Sequence, residues 1–214
     1  MPHELMSHVP ARATEGSDAA QRGDEILVHA RHAFVEKGFD GASMQDLARA
    51  AGMSAGNFYR YFPSKAAIVE ALIARDLAEI EEVFRGIMAS SDPLAALKVG
   101  LRVQLDEHCG GEDLLWAEIA AAAARKPEVA SILAAMEEGI TRRMVTVLAR
   151  ASGLDGHGPY PRLLVHARLI FLIIHGAMTA NVARAQPRDG ELTDLVMRTI
   201  ERVIDDALAE LKDH

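Results

Sequence analysis

The stretch Gly52–Lys65, "GMSAGNFYRYFPSK", sets Phe58, Tyr59, Tyr61 and Phe62 within five positions of a chain whose aromatic content is only 5%. Ser54 opens a short helix, and the i, i+4 spacing of Phe58 and Phe62 puts both rings on its inward face. A helix of two turns cannot hold itself together in water, so those rings must anchor it from behind. Ala55, Gly56, Asn57, Tyr59, Arg60 and Tyr61 are then left to face outward.

Working outward, Ser43 and Asp46 stand three apart, a capping-box-like start to a preceding short helix that buries Met44, Leu47, Ala48 and Ala51 and ends at Gly52. Before that, Ile26, Leu27, Ala30, Phe34 and Val35 recur at helical spacing up to Gly38. After the stretch, Pro63-Ser64 restart the chain into a long helix reaching about Met88. Two short helices joined through "AAGMS", with a glycine at the sharp turn, fit a helix-turn-helix whose second helix can enter the major groove of DNA.

The outward residues have the chemistry for that task. Glycine and alanine at the helix start allow close backbone approach, and the helix N-terminus favours phosphate. Tyr59 and Tyr61 can donate hydroxyl hydrogens to phosphate oxygens, as can Ser43 and, through its ammonium, Lys65. Base edges fall to Asn57 and Gln45, which suit adenine, and Arg60, which suits guanine or phosphate, while Ala55 can touch a thymine methyl. The plain alternative for the two tyrosines is service to the small core. Residues 1–20 read as a flexible arm, with Arg12 and Arg22 the nearest cations for an adjacent minor groove.

Further along, cap signals mark a helix from Asp92-Pro93 to about Cys109, one from "GGED" through Arg125, and one from Pro127 to Gly153. A mostly apolar helix spans about 161–185 and an amphipathic one runs to Leu211. The expectation is an all-α chain of about nine helices with no strand. The 214 residues are half hydrophobic and a quarter charged, with a formal net charge of −8. Such acidity excludes a protein that coats nucleic acid indiscriminately, yet residues 22–75 carry seven Lys/Arg against six Asp/Glu. The single cysteine, Cys109, excludes an intramolecular disulfide and a cysteine-rich zinc module, and His108-Cys109 lacks the histidine spacing of a metal site. No metal or cofactor is expected. No uninterrupted apolar run of membrane-spanning length and no signal-peptide order is present, so a cytoplasmic location without membrane association is expected.

The span Ile26–Ile73, "ILVHARHAFVEKGFDGASMQDLARAAGMSAGNFYRYFPSKAAIVEALI", resembles the DNA-binding domain of TetR-family transcriptional regulators. The glycine before the second helix, the "D-L-A" core, the "A-G-M-S-x-G" turn, the "Y-x-Y-F" element and the following "S-K" stand in the family's order. Asn57 departs from the family's frequent threonine or serine, and Tyr61 from the histidine of some members. The resemblance implies a helix-turn-helix domain over 21–66, with helix four starting near 64, and a ligand-binding and dimerisation domain over 67–214. It implies a homodimer formed through helices 161–185 and 190–211, binding a palindromic double-stranded operator, most simply as a repressor released by a small-molecule effector.

Candidate effector contacts are Trp116, Glu118, His175, Met178 and Thr179. Trp116 either lines a pocket or packs in the core, and the polar groups of "LIFLIIHGAMTANVARA" need a ligand, a second subunit or a buried neighbour. Gly176, Ala177, Ala180 and Ala183, with Leu195, Val196, Thr199, Val203 and Leu208, suit a four-helix subunit interface or packing within the chain. Two further readings stay open: a regulator controlled by a protein partner or acting constitutively, and an all-helical enzyme using Glu118 or a histidine. No nucleophile, base and orienting group at catalytic spacing supports the last, so no catalytic residue is assigned.

Overall fold

The computed structural model describes residues 12–107, 111–154, 158, 160–184 and 190–212. These form α1 (Arg12–Gly41), α2 (Met44–Ala50), α3 (Ala55–Tyr61), α4 (Lys65–Ala89), α5 (Pro93–Glu107), α6 (Gly111–Ala123), α7 (Pro127–Ala151), α8 (Pro161–Arg184) and α9 (Gly190–Lys212). Among the described residues there is no strand, and the chain is all-α. His108 and Cys109 lie outside the described residues, as does the start of the N-terminal arm.

The helix boundaries follow from local chemistry. Ser43 Oγ accepts from Asp46 N at 3.1 Å while the Asp46 carboxylate accepts from Ser43 N at 3.1 Å, a complete capping box. Ser54, Ser64 and Asp92 cap α3, α4 and α5 in turn through side-chain oxygens that accept from the amides of Asn57, Ala67 and Ala95. Gly52 makes the turn between α2 and α3 with a φ of 65°, open to glycine at no steric cost.

One boundary differs from expectation. α1 runs back to Arg12, through residues expected to belong to a flexible arm. Ala13, Glu15, Ala19, Ala20 and Gln21 are good helix formers, and their propensity carries the helix past Gly16 and Gly23. At the other end Gly38, with φ 75° and ψ 160°, breaks the helix where the sequence indicates, before a last turn to Gly41.

α1, α2 and α3 pack around Phe34, Leu47 and Phe58, each fully buried, and α4 enters the same core through Ile68 and Leu72. α4 then continues against α5 and α7 in the larger bundle of α4–α9, and α1 also lies along α6. The two groups of helices are therefore joined both by α4 and by the α1–α6 contact.

Candidate nucleic-acid interface and cavity

Phe58 is fully buried and Phe62 nearly so, their rings 6.2 Å apart, as the anchoring of a two-turn helix requires. At roughly 100° per residue, Gly56, Asn57 and Arg60 lie opposite these rings, and Tyr59 and Tyr61 fall on the two flanks. Gly56, Asn57, Tyr59 and Arg60 are exposed, as is Gln45 on α2. Ala55 is half-buried. Tyr61 is half-buried too and packs on the core, so its ring serves the fold while Tyr59, 48% exposed, does not.

Two expected phosphate donors are already engaged. The Ser43 hydroxyl donates to the Asp46 carboxylate and its oxygen accepts from the Asp46 amide, which uses its only hydrogen inside the capping box. Lys65 Nζ donates to Phe39 O at 2.6 Å and Asp40 O at 3.3 Å and sits 4.8 Å from the centre of the Phe39 ring. Burial pulls the Lys65 ammonium below its ordinary pKa. Within the chain Lys65 thus clamps the segment after the Gly38 kink, and Ser43 caps α2.

Lys37 and Arg49, which the motif alone does not single out, flank the cap with their side chains. They pair with Asp46 at 2.9 and 3.3 Å, and Arg49 is 77% exposed. Hydrogen bonds from the Ser43 side chain and then from Lys37 hold the Asp46 carboxyl well below the usual carboxylate range. The stabilisation this gives is present above the ordinary carboxyl pKa and is lost only as pH falls through the lowered one. A visible signal was available: both cations flank the helix-turn-helix pattern itself.

Glu118 departs most from its expected place. It does not line the cavity; its Oε2 accepts from Phe39 N at 3.1 Å and lies 3.0 Å from where a Cβ on Gly38 would stand. Beside it, Asp40 pairs with Arg125 at 2.6 Å and Lys126 at 3.3 Å, contacts that lower the Asp40 carboxyl pKa, the Arg125 hydrogen bond foremost. The reason is positional: α6 passes along α1, so a carboxylate at this turn meets the amide that the kink frees from helical bonding. α6 and the turn after it thus grip the segment leading into α2.

A partly enclosed cavity of about 660 Å³ lies among α4, α5, α7 and α8. Of the expected effector contacts, Trp116, His175, Met178 and Thr179 line it. His175 stacks on Phe171 at 5.8 Å, and Thr179 Oγ1 donates to the His175 carbonyl at 2.8 Å, the local partner that a hydroxyl on an apolar helix finds. Lining residues the sequence reading missed include Arg31 of α1, Arg75, Asp76 and Glu79 of α4, and Met136, Ile140 and Met144 of α7. The i, i+4, i+8 spacing of that last trio was the available signal.

α8 presents Val165 (66% exposed), Leu169 and Leu172 at helical spacing with exposed Gly176, and α9 presents Leu192 and Leu195. The inward side of α9 is Met197, Ile200, Ile204 and Ala207, so Leu195 and Thr199 face away from the chain's own core. By length and hydropathy, Pro161–Ala180 is one segment among the described residues that could cross a membrane.

The family model described as bacterial regulatory proteins, tetR family, matches residues 26–72. The regulator UidR of Escherichia coli strain K12 is 28% identical over 166 residues, 76% of this chain and 82% of that protein. The repressor KstR2 of Rhodococcus jostii strain RHA1 is 32% identical over 81 residues, 38% of this chain and 40% of that protein. Among solved structures, Salmonella enterica GusR superposes with a TM-score of 0.70 at 26% identity, over 86% of this chain and 96% of that one. With a recognition helix anchored by two buried rings and presenting Asn57, Tyr59 and Arg60, residues 26–72 form a DNA-binding domain of the tetR family, and the chain as a whole is similar to the transcriptional regulators of that family.

Proposed function

We propose that the protein is a homodimeric repressor that binds a palindromic operator and is released by a small molecule taken into the α4–α8 cavity. The single observation that carries the DNA half is the exposed face of Gln45, Gly56, Asn57, Tyr59 and Arg60 over the buried Phe58–Phe62 pair. Asn57, Gln45 and Arg60 read bases, Tyr59 and Tyr61 position the backbone, and Ala55 and Gly56 permit close approach. Ser43 and Lys65 act through the fold that presents these groups. The apolar stripes of α8 and α9 supply the subunit interface, covering the surface that gives α8 its membrane-like hydropathy.

The effector half rests on the cavity and on two connections from body to head. One is α4, whose first turn clamps the kink through Lys65; the other is α6, which carries Trp116 at the cavity and Glu118 at Phe39 N. A molecule that fits the cavity better when these helices shift must weaken DNA binding by the same factor that DNA weakens its own binding. Nothing in this reading calls for catalysis, metal or cofactor.

The test is selection of duplexes from a random pool by the full-length protein, followed by titration of the selected sequence. The expected product has two inverted half-sites about one helical turn, roughly 34 Å, apart. Asn57→Ala should lose about 10- to 100-fold in affinity, relax the preference at one base pair and leave the melting temperature in place. Unchanged affinity and preference would remove Asn57 from the base-reading set, and an unenriched pool would overturn operator recognition itself.

A further inference from the structure

The charges on the cavity wall cancel. Arg31 of α1 and Arg75, Asp76 and Glu79 of α4 are the charged side chains lining it, two of each sign. Arg31 pairs with Asp76 at 3.0 Å, and both have further interactions besides this one. Arg75 Nε lies 3.7 Å from Glu79 Oε1. A charged ligand group would shed hydration here without meeting an uncommitted opposite charge. To gain one it would have to part Arg31 from Asp76, whose side chains are only 16% and 22% exposed. An uncharged ligand leaves both pairs in place.

Most of the remaining wall is hydrocarbon. Phe84, Ile87, Leu97, Leu101, Ile140 and Ile174, from α4, α5, α7 and α8, are buried side chains at the cavity. Val28, Val83 and Val103 line it and are exposed, so apolar groups from α1, α4 and α5 also stand where it meets solvent. Two uncharged polar groups are engaged within the chain: Thr179 Oγ1 donates to the His175 carbonyl, and Gln104 Nε2 lies 3.9 Å from Met178 Sδ and has a further interaction. His175 differs. Its ring stacks on Phe171, and among the described residues neither ring nitrogen has a hydrogen-bond partner. A neutral imidazole carries one N–H and one lone pair, so it can serve a ligand hydroxyl, carbonyl or amide.

Resting on the effector-cavity reading above, we infer that the effector is an uncharged, mostly apolar molecule oriented by one hydrogen bond to His175. A cavity of about 660 Å³ is of the size that takes a drug-sized molecule, and its apolar wall supplies most of the affinity. His175 supplies direction. A ligand group that pairs with the imidazole replaces its bond to water, whereas an analogue lacking that group leaves a polar nitrogen unpaired against hydrocarbon.

Trp116, the sole tryptophan, lines the cavity and reports binding by its fluorescence, with the shift in melting temperature as a second readout. The full-length protein is titrated with decanol, decanoate and decyltrimethylammonium, below their micelle or solubility limits, at about pH 8, where a free carboxyl is ionised. Decanol is expected to bind about tenfold or more tighter than either ion. His175→Phe keeps a ring on Phe171 and removes the hydrogen bond, and should weaken decanol by about 3- to 10-fold. His175→Gln, whose amide both donates and accepts, should stay within about twofold of the wild type. If His175→Phe fails to fold, His175→Leu must show the same loss. An ion that comes within about tenfold of decanol would overturn the uncharged ligand and leave the cavity reading intact. A loss smaller than about threefold in the folded variant without the imidazole would overturn the role of His175. Neither a fluorescence change nor a melting shift with any probe would overturn the inference and the effector cavity together.

Discussion

Lys65 makes contacts within the chain that the phosphate role expected of it does not require. Its ammonium spans two backbone carbonyls and the Phe39 ring, so its removal should be felt in stability before it is felt on DNA. Hydrogen bonds from a charged donor are worth about 1.5–3 kcal/mol, and half-exposure puts this clamp near the lower end. Lys65→Met is expected to lower the melting temperature by roughly 2–8 °C. Tyr59, half-exposed, should behave in the opposite way: Tyr59→Phe keeps the melting temperature and loses operator affinity. Thermal unfolding by circular dichroism beside a DNA titration separates the two roles. A Lys65→Met protein with unchanged melting and weakened DNA binding would return Lys65 to the phosphate.

At the scale of elements, the kink at Gly38 sets the angle at which α2 and α3 leave α1, and α6 touches it through Glu118. A φ of 75° with ψ of 160° is a region that side chains avoid, and a Cβ there would meet the Glu118 carboxylate at 3.0 Å. Gly38→Ala should therefore destabilise by about 1–3 kcal/mol, less when Glu118→Ala removes the steric part. Melting of the wild type, both single variants and the double variant measures that coupling, and strict additivity would show that α6 exerts no force on the kink. The helices themselves were legible in advance, because Ser43, Ser54, Ser64, Asp92 and Pro127 announce their ends through local hydrogen bonding and backbone geometry. The partners of Glu118, Lys65 and Arg31 were not, since each reaches an element distant in sequence. Helical periodicity tells which face turns inward, but not which helix it will meet. For the same reason Asn57, Tyr59 and Arg60 could be placed on an outward face from spacing alone, while the charged end of the cavity emerged only when α1 and α4 were brought together.

For the whole molecule, the proposed homodimer would hold two recognition helices at a fixed separation through the apolar stripe of α8 and α9. Leu169 is 44% and Leu172 is 60% exposed, one helical turn apart, on a helix whose opposite side is buried through Leu163, Ala167, Ile170 and Ile174. Charging that stripe should leave each subunit folded, because nothing of the chain's own core depends on it. Leu169→Glu with Leu172→Glu is expected to yield a monomer by analytical ultracentrifugation, with helix content unchanged by circular dichroism. Its operator affinity should fall by 100-fold or more, on the order of the avidity lost when a second half-site no longer binds as an intramolecular event. The salt dependence should weaken as well, because fewer phosphates are neutralised when a single subunit is bound. A variant that stays dimeric and keeps its operator affinity would place the subunit interface elsewhere and leave the apolar stripe of α8 without the role proposed for it.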